Sequence, residues 1–193
     1  MDTLSWKKHN EEICKKLSQL CYIIGQLRNT MDKKSLISYY YAYGESAIRY
    51  GITIWATNSN HNRILTLQKR IIRKIFRLGY NESVRETFRK EGIQTIYGLY
   101  YLESLQYIHK NLDKLQHNSD NHKYNTRTSN QITIPRHKTA FYERTSKYNG
   151  IKYHNNLTNQ TKALDLTKLK IKTIEKITYL APYNFQELDN IKF

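Results

Sequence analysis

Six cations recur at helical spacing in one short stretch: Arg63, Lys69, Arg70, Arg73, Lys74 and Arg77. At ~100° of rotation per residue they fall on one half of a helix. Ile64, Leu65, Leu67, Ile71, Ile72, Ile75, Phe76 and Leu78 fall on the other half. No acidic residue lies between Arg63 and Leu78. Solvated helix faces usually mix both signs through i,i+4 pairs, so a face of unpaired cations is suited to a polyanion such as a phosphate backbone. The alternative is a bare solubilising face. The whole-chain balance, 32 Lys+Arg against 16 Asp+Glu for a net charge of +16, weighs toward the polyanion.

Other chemistries find little support. Two-metal phosphoryl transfer needs clustered carboxylates, and the six aspartates include no adjacent pair. The seven histidines are scattered, and His117 and His122 sit in a polar stretch where solvation is the simpler reading. There is no glycine-rich phosphate loop and no G-x-S-x-G elbow. Cys14 and Cys21, seven apart, fall on one side of a helix as buried thiols, and no C-x-x-C pair suggests zinc. No catalytic or metal-binding residue and no cofactor is assigned to the chain. No run reaches transmembrane length and no apolar signal core follows the N-terminus, so the chain reads as intracellular, with no membrane partner. The Asn-x-Ser/Thr triplets at Asn81, Asn156 and Asn159 are then expected to stay unglycosylated.

The elements that must carry the cations are predicted to be helices. Residues 6–29 show Ile13, Leu17, Leu20, Cys21, Ile24 and Leu27 at three-to-four spacing, with Gly25 weakening the last turn. Asp32 caps a second helix predicted to run unbroken to Trp55, with Leu36, Tyr39, Tyr40, Tyr43, Ala47, Ile48 and Ile52 as its apolar and aromatic stripe. Such a tyrosine stripe reads as packing before it reads as a base-stacking platform. Gly44 and Gly51, seven apart, would admit a close neighbour on one face. The basic helix ends near Gly79, taken as its C′ residue. Ser83 and Glu86 form a capping box for a short helix closed by Gly92, and Thr95 to Leu115 make a fifth helix. Five helices and short loops predict a mainly α fold, a helical bundle.

Composition changes at Gln116. The polar run to residue 138 reads as an exposed basic linker, and residues 139–193 as a small, basic helical extension with a last helix over Leu164–Leu180 ended by Pro182. Between Lys123 and Lys152 stand seven Lys/Arg and one acid, Glu143, interleaved with Tyr124, Phe141, Tyr142, Tyr148 and Tyr153. Lys123, Arg127, Arg136 and Lys138 are candidate phosphate contacts and the aromatics candidate stacking surfaces. Docking of these tyrosines on the bundle is an equal alternative.

Seven pieces in order resemble the C-terminal third of reverse transcriptases from non-LTR retrotransposons, the jockey-like LINE group. They are Asp2–His9 (DTLSWKKH), Tyr50–Trp55 (YGITIW), Leu67–Arg73 (LQKRIIR), Gly92–Tyr100 (GIQTIYGLY), Tyr124–Arg127 (YNTR), Ile134–Thr139 (IPRHKT) and Tyr148–Leu157 (YNGIKYHNNL). Ala56 departs from the family's usual Gly, and Thr95 and Thr158 from its prolines. The resemblance implies that residues 1–29 follow the polymerase palm and that residues 30–115 are a thumb gripping the template–primer duplex. The basic helix would lie along the backbone, and the C-terminal extension would help bind element RNA or target DNA. The parent activity would be RNA-directed DNA polymerase using Mg²⁺, with palm and fingers as partner domains. The chain starts inside a motif and lacks the palm's aspartates, so it reads as a fragment, inactive by itself. A stand-alone nucleic-acid-binding module, a relic, and a membrane-surface or calmodulin-binding basic helix are the other readings.

Overall fold

The computed structural model describes residues 6–57, 61–121 and 128–191. It is mainly helical, and no strands occur among the described residues. The first helix, α1 (Lys7–Leu27), buries Ile13, Leu17, Leu20 and Ile24 of the periodic positions expected, together with the Cys14 thiol, whereas Cys21 and Leu27 are only half-buried at its edge. After a turn, Asp32 caps α2 (Lys33–Tyr39), its carboxylate accepting from the backbone N–H groups of Lys34 (3.1 Å) and Ser35 (3.4 Å).

The second helix is not continuous to Trp55. A π-helical segment, Tyr40–Glu45, follows α2 and leads into α3 (Ser46–Arg49). The chain then breaks at Gly51, whose φ of 62° is left-handed, before α4 (Ile52–Trp55). Gly51 therefore turns the chain, a conformation open to it for want of a Cβ. Gly44 does serve packing: a Cβ there would sit 2.8 Å from Leu20 Cδ2 of α1. Trp55 closes the corner, its Nε1–H donating to the Tyr50 carbonyl at 2.8 Å.

The basic stretch forms α5 (His61–Phe76), packed along α1. Its apolar half is buried as expected at Ile64, Leu65, Leu67, Ile71, Ile72 and Ile75, while Phe76 and Leu78 are half-buried. The helix stops before Gly79. Arg77 takes the left-handed position (φ 55°), and the Leu78 N–H reaches back to the Arg73 carbonyl at 3.0 Å, a Schellman closure without glycine. In α6 (Arg85–Glu91) the capping box does not form. Glu86 pairs instead with Arg89 at 2.6 Å, while Gly92 closes the helix in the left-handed region as expected.

The central element is α7 (Ile96–Lys110), buried on every side over its first two turns, including Tyr97, Tyr100 and Tyr101, with Tyr107 and Lys110 exposed towards its end. Thr95 caps it, accepting from the Gly98 N–H at 3.2 Å and donating to the Pro182 carbonyl at 2.7 Å. A 3₁₀ turn, Leu112–Lys114, follows. The described residues beyond 116 stay against the bundle. The short helix α8 (Asn118–Asn121) and residues 128–133 fold onto each other through an antiparallel bridge between His117 and Ile132. Buried Ile132 joins Ile108 and Ile151 in a small second core, which ties this point of the polar run to the bundle, while Gln116, Ser119, Thr128 and Asn130 stay exposed or nearly so. The Asn155 side chain holds the Ile132 N–H and carbonyl, both at 2.9 Å.

The C-terminal region is likewise folded back. Short helices α9 (Ala140–Glu143), α10 (Ser146–Asn155) and α11 (Asn159–Lys162) lead to α12 (Leu166–Leu180) and α13 (Phe185–Asp189). α10 and α12 pack on α7. In α12 the buried positions are Leu169, Thr173 and Ile177, with Leu166 and Ile174 half-buried. Phe185 seats edge-on against Tyr97 and Tyr100, and one core runs from Ile13 to Ile191.

One buried group makes this lobe acid-sensitive. His154 on α10 is 4% exposed, and neither ring nitrogen has a hydrogen-bond partner. Desolvation, with the nearby Lys162, lowers its pKa from 6.5 to about 4. The unfolded chain therefore binds a proton that the folded one refuses between those values. Stability is full above about pH 6.5 and falls as pH drops toward 4. Acidification from pH 7 to pH 5 is expected to cost about 2 kcal/mol. Thermal melts at the two pH values, on wild type and His154→Phe, check this; the variant should lose most of the dependence.

Candidate nucleic-acid interface

The cationic half of α5 does not face solvent uniformly. It forms one wall of a groove of about 670 Å³, the opposite wall being the C-terminal part of α1. Thr66, Lys69, Arg70, Arg73 and Lys74 of α5 line it with Cys21, Arg28, Leu78 and Tyr80. Five cations thus share one concavity, and no carboxylate lines it. Neither the five cations of α5 nor Arg77 just beyond it forms an ion pair among the described residues.

Four of them are nevertheless held. Lys74 Nζ crosses to α1 and donates to the Cys21 carbonyl at 3.0 Å. Gly25 makes room for it, since a Cβ there would lie 2.8 Å from Nζ. A glycine that costs helix propensity thereby admits an inter-helix link. Arg77 donates to the Arg28 carbonyl at 2.9 Å and Arg73 to the Glu82 carbonyl at 3.2 Å. The Arg28 carbonyl, just past the end of α1, is an orphan acceptor that a cation satisfies without losing charge. Lys69 Nζ lies 3.6 Å from the Tyr183 ring centroid, a cation–π contact. Desolvation, then the charges of Arg73 and Arg85, lower the Lys69 pKa, with Glu187 opposing. Arg63 and Arg70 are exposed.

Each held cation keeps further donors. A guanidinium has five N–H groups and an ammonium three, and each bond described uses one of them. The groove can therefore accept several phosphate oxygens while its walls stay fixed, a preorganised arrangement.

The remaining candidates are not gathered here. Arg136 and Lys138 are exposed on the segment leading to α9 and do not line the groove. Lys123 and Arg127, with Tyr124, lie outside the described residues. The interleaved aromatics divide between the two readings. Tyr153 is buried against Tyr101 with centroids 4.4 Å apart, and Tyr142 and Tyr148 pack around His137. Phe141 remains exposed. The Glu143 carboxylate accepts from the His137 Nε2–H at 3.0 Å, and this contact raises the His137 pKa.

Two contributors escaped the sequence reading. Arg28 lies past the apolar period of α1, and only folding brings it opposite α5. Gln68 sits on the apolar side of α5 and is fully buried. Its Nε2 donates to the Tyr40 hydroxyl (2.7 Å) and the Gln94 carbonyl (2.8 Å), and its Oε1 accepts from the Ile96 N–H (3.1 Å). A polar residue inside an apolar stripe was the available signal. No three His, Cys, Asp or Glu side chains among the described residues come together to hold a metal ion. Comparison with family models, with curated proteins and with solved structures found no match.

Proposed function

We propose that the chain binds nucleic acid by gripping its phosphate backbone in the α1–α5 groove, as the thumb of a non-LTR reverse transcriptase would grip a template–primer duplex. One observation carries the reading: five cations line a single concavity that has no carboxylate. Phosphate contacts of this kind position a duplex without reading its sequence.

Three of the resembling motifs support the finer identification because they meet in space. LQKRIIR supplies Lys69, Arg70 and Arg73 of the groove, and its Gln68 bonds to Gln94 and Ile96 of GIQTIYGLY. In YNGIKYHNNL, Asn149 donates to the Tyr100 hydroxyl at 3.1 Å. The same groove would serve a stand-alone module derived from such an element, a reading favoured by the continuous core from Ile13 to Ile191. A membrane-surface or calmodulin-bound helix needs a free apolar face, and that of α5 is spent in the core. The Mg²⁺ ions of a parent polymerase would be held by clustered carboxylates of its palm. No step of polymerisation is assigned to this chain.

A duplex titration against salt tests the proposal. With about five phosphates engaged, log K against log salt should slope near −4 to −5, with little preference among sequences. A flat response would overturn it.

A further inference from the structure

The flank of α1 opposite the cationic groove carries a second concavity, of about 450 Å³, between α1 and the π-helical segment. Lys16, Gln19, Tyr39 and Tyr43 are among the residues that line it, and no carboxylate does. Tyr39 and Tyr43 lie with ring centroids 4.6 Å apart, inclined at 46°. Tyr43 is 61% exposed, as is Tyr22 (66%) beside an adjoining hollow along α1.

The π turn creates this surface. Tyr40 points inward, its hydroxyl bonded to Gln68, and Glu45 and Ile48 are the next inward large side chains. Wide π winding spends an extra residue between them, which leaves Tyr43 outside where an α-helical stripe would have buried it. Exposing an aromatic ring to water has a free-energy cost, and here the exposed Tyr43 ring, resting against half-buried Tyr39, lines one wall of a cleft that also carries a cation.

We propose that this cleft takes unstacked bases of single-stranded nucleic acid. Tyrosine faces supply stacking that every base can use. The Gln19 amide offers a donor and an acceptor to a base edge, and Lys16 a charge to the adjoining phosphate. A second copy of the chain is a poor occupant, because both would carry +16 and repel. The proposal rests on the reading above only in taking nucleic acid as ligand, and it uses different residues.

The test compares wild type, Tyr43→Ala and Tyr43→Phe by fluorescence anisotropy. The probes are oligothymidylate and oligouridylate about twelve nucleotides long, with a mixed-sequence duplex of the same length. Tyr43→Ala should weaken single-strand binding about tenfold, Tyr43→Phe should bind like wild type, and duplex affinity should hold for both. The two single strands show whether deoxyribose or ribose is preferred. If Tyr43→Ala binds single strands like wild type while the duplex still binds, this proposal falls and the groove reading stands. If wild type binds neither probe, both fall. A wild-type dimer in sedimentation that Tyr43→Ala converts to a monomer, with single-strand affinity unchanged, would make the cleft a contact between copies and overturn the assignment.

Discussion

Ile71→Asp is expected to unfold the entire assembly. Ile71 is fully buried on the α5 face that meets α1 and the rest of the core. A carboxylate placed there has no cation within the apolar half to pair with, so it must be buried unpaired or protonated. Either course costs several kcal/mol, comparable to the whole stability of a small domain. The main core, extending from Ile13 to Ile191, implies loss of structure throughout, read as disappearance of the cooperative thermal transition in circular dichroism. Survival of a native-like transition in the variant would show that the α5 interface is not integral to the core.

Reversing the charge at Arg70 should have the largest effect on binding with the least on folding. Arg70 lines the groove, is exposed, and lies in no ion pair among the described residues. Arg70→Glu removes one phosphate contact and adds a repulsion. Duplex affinity at low salt should fall by about ten- to a hundredfold, the salt slope by about one or more, and the melting temperature should barely move. The pair Arg73→Gln and Arg77→Gln should behave differently. From sequence, Arg70, Arg73 and Arg77 look interchangeable on the wet half, with neutralisation harmless or mildly stabilising. The structure separates them: Arg73 and Arg77 satisfy the carbonyls of Glu82 and Arg28. Losing two charge-assisted bonds, at roughly 1.5–3 kcal/mol each when well shielded and less at exposed positions, should lower the melting temperature as well as the affinity. A double Gln variant that melts like wild type would return these arginines to the status of free surface charge.

The same contrast explains what was legible beforehand. Helix existence, the buried side of α5, the Asp32 cap and the Gly92 terminus were readable because they depend on periodicity and on residues a few positions away. The cationic content of α5 was readable for the same reason. The π segment was not, since it depends on Tyr40 being drawn inward by Gln68, 28 residues later. Nor was the end of α5, where Arg77 accepts a left-handed backbone while its side chain binds the Arg28 carbonyl, 49 residues away. The C-terminal return was hidden too. Tyr183 beneath Lys69 and Glu187 against Arg85 (3.1 Å) are contacts across more than a hundred residues. By itself, the sequence determined a basic, mostly helical chain with one strongly amphipathic cationic helix. Tertiary structure decided which cations are tethered, that Arg28 faces them across a groove, and that tyrosines stand exposed on the far flank of α1, because each depends on which distant backbone carbonyl, ring or glycine lies within a few ångströms after folding.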